Sequence, residues 1–350
     1  MALQRSTIEE FLTKTWTQRE AAARFLLPLS WLFGALTALR RLAYRCGIAR
    51  AHRLPVPVIV VGNIFVGGTG KTPLTIWLVQ ALRQAGFHPG VVSRGYGSTG
   101  DGPRAVTAQS LAQEVGDEPL LIAGRTHCPV VVSRDRVGAA RMLLAAHPET
   151  DIIVADDGLQ HYRLARDIEV VLFDSRGVGN GWLLPAGPLR EPASRRRDFT
   201  VVNGSHEEAE GLSGAFRMRL AGLMAEHLIS SEETTPRALR SFAQTVSGYS
   251  PVQIVAAAGI GNPARFFTLL REAGLQFREM PLPDHYDFSD NPFAGVTAEV
   301  ILITEKDAVK CRQNAALKND PRIWVVPVTA QIDRALAEQI VEKLRGHSTA

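Results

Sequence analysis

Short apolar runs alternate with amphipathic segments along most of the chain. Five runs typical of buried strands lie in the first half, at 56–62, 90–93, 129–132, 151–156 and 169–174. Apolar residues at helical spacing follow two of them, over 74–82 and 135–146. Strands that are apolar along their whole length are buried on both faces, and here helices separate them. The pattern therefore predicts an α/β fold with a parallel sheet covered by helices.

A second series follows a region rich in Gly, Pro and Arg at 175–198, which we interpret as a long functional loop. Its predicted strands are 199–202, 216–220, 252–258, 300–304 and 323–326, and its predicted helices are 263–272 and 332–344. A chain of 350 residues is long for a single core. We expect an N-terminal segment at 1–50, a first domain at 51–212 and a smaller second α/β domain at 213–350.

Composition excludes several classes of protein. Apolar residues make up 45% and charged residues 21%, which is typical of a globular chain. The formal charge of +4 is too small to indicate nucleic-acid binding by itself. Cys46, Cys128 and Cys311 are scattered and form no C-x-x-C pair, so neither a zinc site nor a disulfide framework is expected.

The N-terminal segment contains an almost entirely apolar run at 25–39 with Trp31 and Phe33, followed by arginines at 40, 41, 45, 50 and 53. The run is shorter than the ~20 residues that span a bilayer, and it starts too far inside the chain for a secretory signal. Two interpretations stay open at this point. The helix lies in a membrane interface with its basic flank on anionic lipid, or it packs on the first domain as a core helix.

A glycine-rich loop, Gly67-Gly68-Thr69-Gly70-Lys71-Thr72, joins the first strand to the first helix. Such a loop directs backbone N–H groups toward one point at the positive end of a helix dipole. Lys71 would reach the β- and γ-phosphates of a nucleoside triphosphate, and the Thr72 hydroxyl would bind Mg²⁺. The general P-loop pattern has glycine where this chain has Phe65, so the Gly67-Gly68 pair must supply the flexibility. The alternative is a glycine-rich turn that binds nothing.

The fourth strand ends in Asp156 and Asp157, a pattern typical of the carboxylates that hold Mg²⁺ beside a P-loop. We expect both near the metal; the alternative is a helix cap or turn. Gln160 and His161 follow directly. His161 would contact phosphate or substrate, or else would be a structural histidine.

Further polar residues have both a functional and an ordinary interpretation. The paired carboxylates Asp117 and Glu118 would supply a general base or a metal ligand, but the residues alone favour a solvated turn at a helix start. His285 would pair with a carboxylate. Arg94 would reach a phosphate or stay on the surface. Arg190 and Glu191 lie on a proline-rich loop that would close over an anion or carry a surface ion pair.

Taken together, these segments resemble the tetraacyldisaccharide 4′-kinases of lipid A biosynthesis. The resemblance spans about residues 15 to 340, and it depends on the segments 61–63, 66–73, 93–97, 116–119, 156–161, 185–192, 284–286 and 304–307. The most specific parts are the proline-rich loop and the run Asp156-Asp157-Gly158-Leu159-Gln160-His161.

The resemblance implies a kinase of two α/β/α domains that moves the γ-phosphate of ATP, with Mg²⁺, to the 4′-hydroxyl of a tetraacyldisaccharide 1-phosphate, forming lipid IV-A. It implies a peripheral protein of the cytoplasmic face of the bacterial inner membrane, and so favours the membrane interpretation of the N-terminal helix. It also implies that Asp117 is the general base with His285 as its partner, and that Gln160, His161, Arg190 and Glu191 occupy active-site positions, where we expect them to contact substrate or phosphate. From the residues themselves we expect Arg94 to contact phosphate and Glu118 to be a metal ligand.

Three other functions have some support. A ParA/MinD-like switch ATPase on membrane or DNA shares the Gly-Gly-Thr-Gly-Lys-Thr loop, but such proteins have a lysine where this chain has Val66. A kinase of a soluble metabolite would work without lipid or detergent. A non-catalytic nucleotide-binding module fits poorly with the many carboxylates. We expect a lipid substrate and a membrane surface as partners, with neither nucleic acid nor a partner protein.

Overall fold

A computed structural model describes residues 15–16, 19–95, 102–205, 208, 212, 214–222, 224–229, 237–238, 242 and 253–347. The chain forms two compact units. Unit 1 comprises Met1–Arg94, Asp135–Arg219 and Ile332–Ala350, and unit 2 comprises Gly95–Arg134 and Leu220–Gln331. We expected the two domains to be continuous in sequence, with a boundary after residue 212. The compact units differ from this division in two segments: residues 95–134 belong to unit 2, and residues 332–350, with the last helix, belong to unit 1.

The helices in chain order are α1 Ala21–Phe25, α2 Leu27–Arg45, α3 Lys71–Gln84, α4 Ala112–Val115, α5 Asp117–Thr126, α6 Arg136–Ala146, α7 Pro263–Glu272, α8 Glu305–Cys311 and α9 Arg334–His347. The strands are β1 Val58–Asn63, β2 Pro89–Ser93, β3 Arg104–Ala105, β4 Val130–Val132, β5 Ile152–Asp156, β6 Ile168–Asp174, β7 Phe199–Asn203, β8 Ala215–Ala221, β9 Met224–His227, β10 Arg237–Ala238, β11 Ile254–Ala258, β12 Arg278–Pro281, β13 Val300–Thr304, β14 Ile323–Val326 and β15 Thr329–Ile332.

Unit 1 is built on a parallel sheet, as the apolar runs predicted. Its strands lie in the order β8-β7-β6-β1-β5-β2, and each neighbouring pair is parallel. Strands β1, β2, β5 and β7 are buried at every position. The central strand β1 lies between β5 and β6, and its carboxyl end runs into the glycine-rich loop. Ligands of open parallel sheets bind at this edge, where chain connections diverge to opposite sides.

Unit 2 contains a second, mixed sheet in the order β10-β9-β14-β13-β11-β12. Its central strands β11 and β13 are parallel and fully buried. One face packs on α7 through Phe266, Phe267 and Leu270. The other face packs on α8 and on Phe288 and Phe293. This packing fixes the turn at 283–288 and the start of α8 beside the carboxyl ends of two neighbouring strands.

The apolar N-terminal run forms α2, and the ordinary core-helix interpretation is wrong for one of its faces. Large apolar side chains on this face are exposed, among them Trp31 at 69%. They are Leu29, Trp31, Leu32, Leu36, Leu39 and Leu42, and Phe25 at the end of α1 is exposed as well. Ser30 on the opposite face donates a hydrogen bond to the Leu184 carbonyl (3.1 Å). No helix in the described part of the chain is long and apolar enough to cross a bilayer.

Candidate active-site groups

The glycine-rich loop in unit 1 is closed by backbone geometry that only glycine adopts easily. Gly70, which caps the start of α3, has φ +100°. A Cβ at this position would lie 2.8 Å from Asn203 Nδ2, and that same amide donates to the Thr69 carbonyl (2.9 Å). A side chain at the end of β7 therefore holds the loop, while the N–H groups at the start of α3 have no partner within the helix.

Lys71 is the first residue of α3, and its ammonium group is held in place before any ligand binds. It donates to Asn63 Oδ1 (3.1 Å) at the end of β1 and lies 3.5 Å from Asp157 Oδ1. Arg190 approaches the same carboxylate oxygen at 3.8 Å. Burial raises the pKa of Asp157, but Lys71 and then Arg190 outweigh it and lower the pKa below its usual range. The carboxylate is thus ionised at neutral pH.

Asp156 lies at the buried end of β5 and accepts two side-chain hydrogen bonds. Thr75 Oγ1 donates to Oδ1 (2.9 Å) and Ser93 Oγ donates to Oδ2 (3.2 Å). These partners orient the carboxylate at the carboxyl edge of the sheet. The structure therefore brings Asp156, Asp157, Lys71 and the loop together, as the motif predicted.

The donor set of this edge fits a small hard cation. Two buried oxygens, Asp157 Oδ1 and Thr69 Oγ1, have no hydrogen-bond partner among the described residues. No group of three or more His, Cys, Asp or Glu in the described ranges forms a complete protein cage for a metal. Mg²⁺ usually takes one or two protein carboxylates and completes its shell with water and substrate phosphates. Thr72 at the start of α3 supplies a further hydroxyl.

Phe65, the departure from the general P-loop pattern, lies outside the phosphate loop. It is buried, and the Arg176 guanidinium stacks over its ring at 4.2 Å. Arg176 is anchored by the buried Asp174 (2.7 Å) and donates to the Gly68 carbonyl (3.3 Å). Arg176, which the sequence motifs did not indicate, therefore supports the loop by binding the Gly68 carbonyl. The large side chain at position 65 provides the ring on which Arg176 stacks.

Arg136 is a second residue that the motifs did not reveal. It starts α6, is buried, and donates from Nη2 to the Asp157 carbonyl (3.2 Å). Asp157 has φ +49°, a left-handed conformation that a non-glycine residue keeps only when its surroundings hold it. Arg136 supplies part of that hold. Its only signal in the sequence was its place near the start of the helix predicted at 135–146.

Glu191 has a different environment from the exposed ion pair that its loop suggested. Its side chain is 1% exposed and is bound on both oxygens. Gln160 donates to Oε1 (3.0 Å), whereas Arg195 (2.7 Å) and Arg41 of α2 (3.4 Å) donate to Oε2. Glu191 and Gln160 thus fix the proline-rich loop that carries Arg190. Their expected contact with substrate stays a prediction.

His161 and Arg94 have contrasting surroundings. Burial and the nearby Arg136 lower the pKa of His161 to about 4, so its imidazole is neutral at pH 7. Its Nε2 is buried without a hydrogen-bond partner among the described residues. Arg94, directly after β2, is exposed. Tyr96 and Gly97, which belong to the same resembling segment, lie outside the described residues.

Asp117 in unit 2 begins α5, but it is not the solvated turn residue that the local sequence favoured. Its side chain is 6% exposed. Oδ1 accepts from the Glu118 N–H (2.9 Å), and Oδ2 lies 3.2 Å from His285 Nδ1. The sequence does predict the helix start. The burial results from the packing of α5 on α8, which no local pattern encodes.

Two lysines of α8 complete the surroundings of Asp117. Lys306 lies in the segment 304–307 that carries the resemblance, but neither lysine was predicted to contact Asp117. Lys310 Nζ lies 3.3 Å from Asp117 Oδ2, and Lys306 Nζ lies 3.9 Å from the same oxygen. Lys306 also donates to Glu118 Oε1 (3.0 Å), so the carboxylate expected to bind metal is occupied by an ammonium group. The two lysines are four residues apart, a spacing that places them on one side of a helix, but no helix was predicted at these positions.

The charges around Asp117 stabilise its ionised form. Burial by itself raises the pKa of Asp117, but the hydrogen bond from His285 and the charges of Lys306 and Lys310 hold it well below its usual range. The same hydrogen bond is the largest cause that raises the pKa of His285. Asp117 and His285 therefore stay oppositely charged over a wider pH range than an isolated aspartate and histidine would in water. They line a cavity of about 450 Å³.

Comparisons with known proteins agree with each other. The model of the family described as tetraacyldisaccharide-1-P 4'-kinase (LpxK) matches residues 22–345. The chain is 71% identical to a tetraacyldisaccharide 4'-kinase of Herminiimonas arsenicoxydans, with 100% of this chain and 99% of that protein covered. It is 70% identical to one of Janthinobacterium sp. (strain Marseille), with both chains fully covered.

Among solved structures, the chain is similar to the "apo" form of LpxK from Aquifex aeolicus, crystallised in complex with ATP. The TM-score is 0.75 and the identity 29%, over 92% of this chain and 99% of that one. The family model and the relatives each cover nearly the whole chain, and both carry the same description. The chain belongs to the tetraacyldisaccharide-1-P 4'-kinase family.

Proposed function

We propose that the protein is an ATP-dependent lipid kinase. It transfers the γ-phosphate of ATP to the 4′-hydroxyl of a tetraacyldisaccharide 1-phosphate and so forms lipid IV-A. The observation that carries the proposal is the prearranged loop, with Lys71 held between Asn63 and Asp157, in a chain 71% identical to a tetraacyldisaccharide 4'-kinase. ATP is the nucleotide because the similar LpxK structure contains it.

At the nucleotide, the N–H groups of residues 67–72 cradle the phosphates, and Lys71 moves from Asp157 to the β- and γ-oxygens. Arg190 adds a second positive charge on the same side, since it already lies 3.8 Å from Asp157. Thr72, Asp156 and Asp157 would hold Mg²⁺, which when bound neutralises charge on the β- and γ-phosphates. The expected metal contact of Glu118, which pairs with Lys306 at 3.0 Å, stays a prediction.

At the acceptor, Asp117 orients the 4′-hydroxyl and takes its proton, while His285 Nδ1 steadies Oδ2. A carboxylate with a lowered pKa is a weak base, and the ideal base has a pKa near the working pH. Phosphoryl transfer through a loose transition state tolerates this, because the attacking hydroxyl keeps its proton until late in the reaction. Positioning then matters more than basicity, and the buried, four-partner setting of Asp117 supplies positioning.

The exposed apolar face of α2 is our proposed contact with the membrane surface. Six large apolar side chains of α2 share this face, and Arg40, Arg45 and Arg50 near its end are exposed as well. Monomeric soluble proteins rarely expose such a continuous patch, and a basic flank suits anionic lipid head groups. The lipid substrate is itself in a membrane, so we propose peripheral attachment at the cytoplasmic face of the inner membrane.

The test of the kinase proposal is phosphate transfer from γ-labelled ATP to a tetraacyldisaccharide 1-phosphate in detergent micelles with Mg²⁺. We expect transfer by the wild type, loss of at least a hundredfold in Lys71→Ala, and no change in Lys318→Ala, which removes an exposed lysine. ATP hydrolysis without transfer would contradict the proposal and favour a switch-type ATPase. Equal transfer to a soluble sugar without detergent would favour a metabolite kinase.

A further inference from the structure

A buried carboxylate in unit 2 has no part in the mechanism above. Asp307, in the first turn of α8, is 0% exposed. Its Oδ2 accepts from Thr304 Oγ1 (2.7 Å), and its backbone N–H donates back to that hydroxyl (3.2 Å). A helix cap accounts for these two bonds. It does not account for the other contacts of the carboxylate, which all lead toward Asp117 and His285.

The first connection runs through Gly259, directly after β11. The Gly259 N–H donates to Asp307 Oδ2 (3.0 Å), and its carbonyl accepts from the His285 N–H (3.1 Å). A Cβ on Gly259 would lie 2.9 Å from Asp307 Oδ1 and 3.3 Å from the Pro283 carbonyl. The missing side chain is therefore what lets the carboxylate approach the turn that carries His285.

That turn needs external support. His285 has φ +58°, a left-handed conformation that is unfavourable for an L-residue and persists only when its surroundings hold it. The bond to the Gly259 carbonyl is such a hold, and Asp307 fixes Gly259 from the other side. The conformation matters because it directs Nδ1 toward Asp117 Oδ2.

The second connection runs through Lys310, one turn further along α8. Its ammonium group lies 3.3 Å from Asp117 Oδ2 and 3.9 Å from Asp307 Oδ1. It is only 7% exposed, so these two carboxylates, rather than water, set its position. Asp307 Oδ1 has no hydrogen-bond partner among the described residues. The oxygen makes its ion pair with Lys310 at 3.9 Å.

We infer that Asp307 is a positioning residue for the acceptor end of the reaction: it holds the His285 turn through Gly259 and holds Lys310 through its charge, and thereby places both partners of Asp117. This inference relies on the proposed function for its kinetic consequence, but not for its structural one.

The test compares Asp307→Asn with Asp320→Asn in the full-length protein. Asparagine keeps an acceptor for Gly259 and a capping oxygen but loses the charge toward Lys310. Asp320 is a matched control, because it is a largely buried carboxylate of unit 2 that pairs with Arg322 (2.6 Å). We expect Asp307→Asn to lower kcat about 10- to 100-fold and to leave the KM for ATP within about twofold. Asp320→Asn should lower the Tm without lowering kcat.

A second readout does not depend on the kinase assay. The NMR titration midpoint of His285, identified in histidine-labelled protein by comparison with His285→Gln, should fall toward about 6.5 in Asp307→Asn, because Lys310, no longer paired with Asp307, then competes with His285 for Asp117 Oδ2. An unmoved midpoint with wild-type kcat would overturn the inference, and so would a kcat loss matched by Asp320→Asn at equal loss of Tm. Failure of the wild type to phosphorylate the disaccharide would refute the proposed function instead, and the midpoint would still decide the role of Asp307.

Discussion

Replacing Asp117 with asparagine tests the charge arrangement at the acceptor end most directly. The change keeps the shape of the side chain and its acceptor for the Glu118 N–H. It removes one negative charge from a site where Lys306, Lys310 and protonated His285 all lie within 4 Å of a single carboxylate oxygen. Both the stability of unit 2 and turnover should therefore fall, for different reasons.

The expected loss of stability depends on which carboxylate partners Lys306 and Lys310 retain after the substitution. Removing one partner of a buried ion pair costs about 3–5 kcal/mol when the remaining charge is left alone. Here Lys306 keeps Glu118 at 3.0 Å and Lys310 keeps Asp307 at 3.9 Å. We therefore expect a smaller loss in the free energy of unfolding, about 2–3 kcal/mol near pH 6. Urea unfolding of the two proteins, followed by circular dichroism, measures it.

The loss should depend on pH with a defined sign. The pKa of Asp117 is lowered, so its contribution is present above its ordinary value of about 3.9 and disappears only as the pH falls through the lower folded value. The pKa of His285 is raised, so its contribution is complete below about 6.5 and is lost as the pH rises through the folded value. The stability difference should be largest near pH 5–6 and smaller at pH 9.

Turnover should fall by about 10²–10⁴, which corresponds to about 2.7–5.5 kcal/mol in the activation free energy. The assay is transfer from γ-labelled ATP, with Glu299→Gln as the control because it neutralises an exposed carboxylate of the same unit. Turnover within about threefold of wild type would exclude Asp117 as the proton acceptor. A stability difference that does not change between pH 5 and pH 9 would refute the ion pair with His285.

Three further predictions concern unit 1. Gly70→Ala should lower the free energy of unfolding by about 1–2 kcal/mol and weaken ATP binding in calorimetry, because φ is +100° and the added Cβ would lie 2.8 Å from Asn203 Nδ2. Gly68→Ala is the control: no atom lies within 4 Å of its added Cβ, so the free energy of unfolding should fall by less. Glu191→Gln should lower the unfolding free energy by about 3 kcal/mol, because three partners lose a buried charge; a loss below about 1 kcal/mol in denaturant would contradict this. Trp31→Glu should weaken co-sedimentation with anionic vesicles at least tenfold, whereas Met142→Glu, at an exposed apolar residue outside α2, should not.

Local sequence patterns predicted most of the elements well. The strands at 300–304 and 323–326 and the helix at 263–272 have the predicted bounds. Each carries its own signal, because a buried strand is continuously apolar and a helix start is marked by proline or a cap. The glycine-rich loop could also be predicted from local sequence, since its function requires glycine at a positive φ and a lysine at the start of the next helix.

The tertiary contacts of the candidate residues could not be predicted from local sequence. Asp117 contacts His285 and Lys310 at sequence separations of 168 and 193, and no periodicity links residues so far apart. Glu191 looked like an exposed loop residue, yet an arginine of α2, 150 positions earlier, helps to bury its charge. Such contacts depend on which elements pack together, and that is decided by the summed packing of whole units rather than by local propensity.

The sequence by itself therefore determined the α/β class, the position of the phosphate loop and the identity of the chemical groups, because these depend on residue type and short spacing. Only the tertiary structure decided which carboxylates are buried, which cations hold them and which way their pKa values move. The physical reason is that charge interactions and desolvation depend on distance in space and on exclusion of water. Both arise only when α5, α8 and the turn at 283–288 pack around the same few atoms.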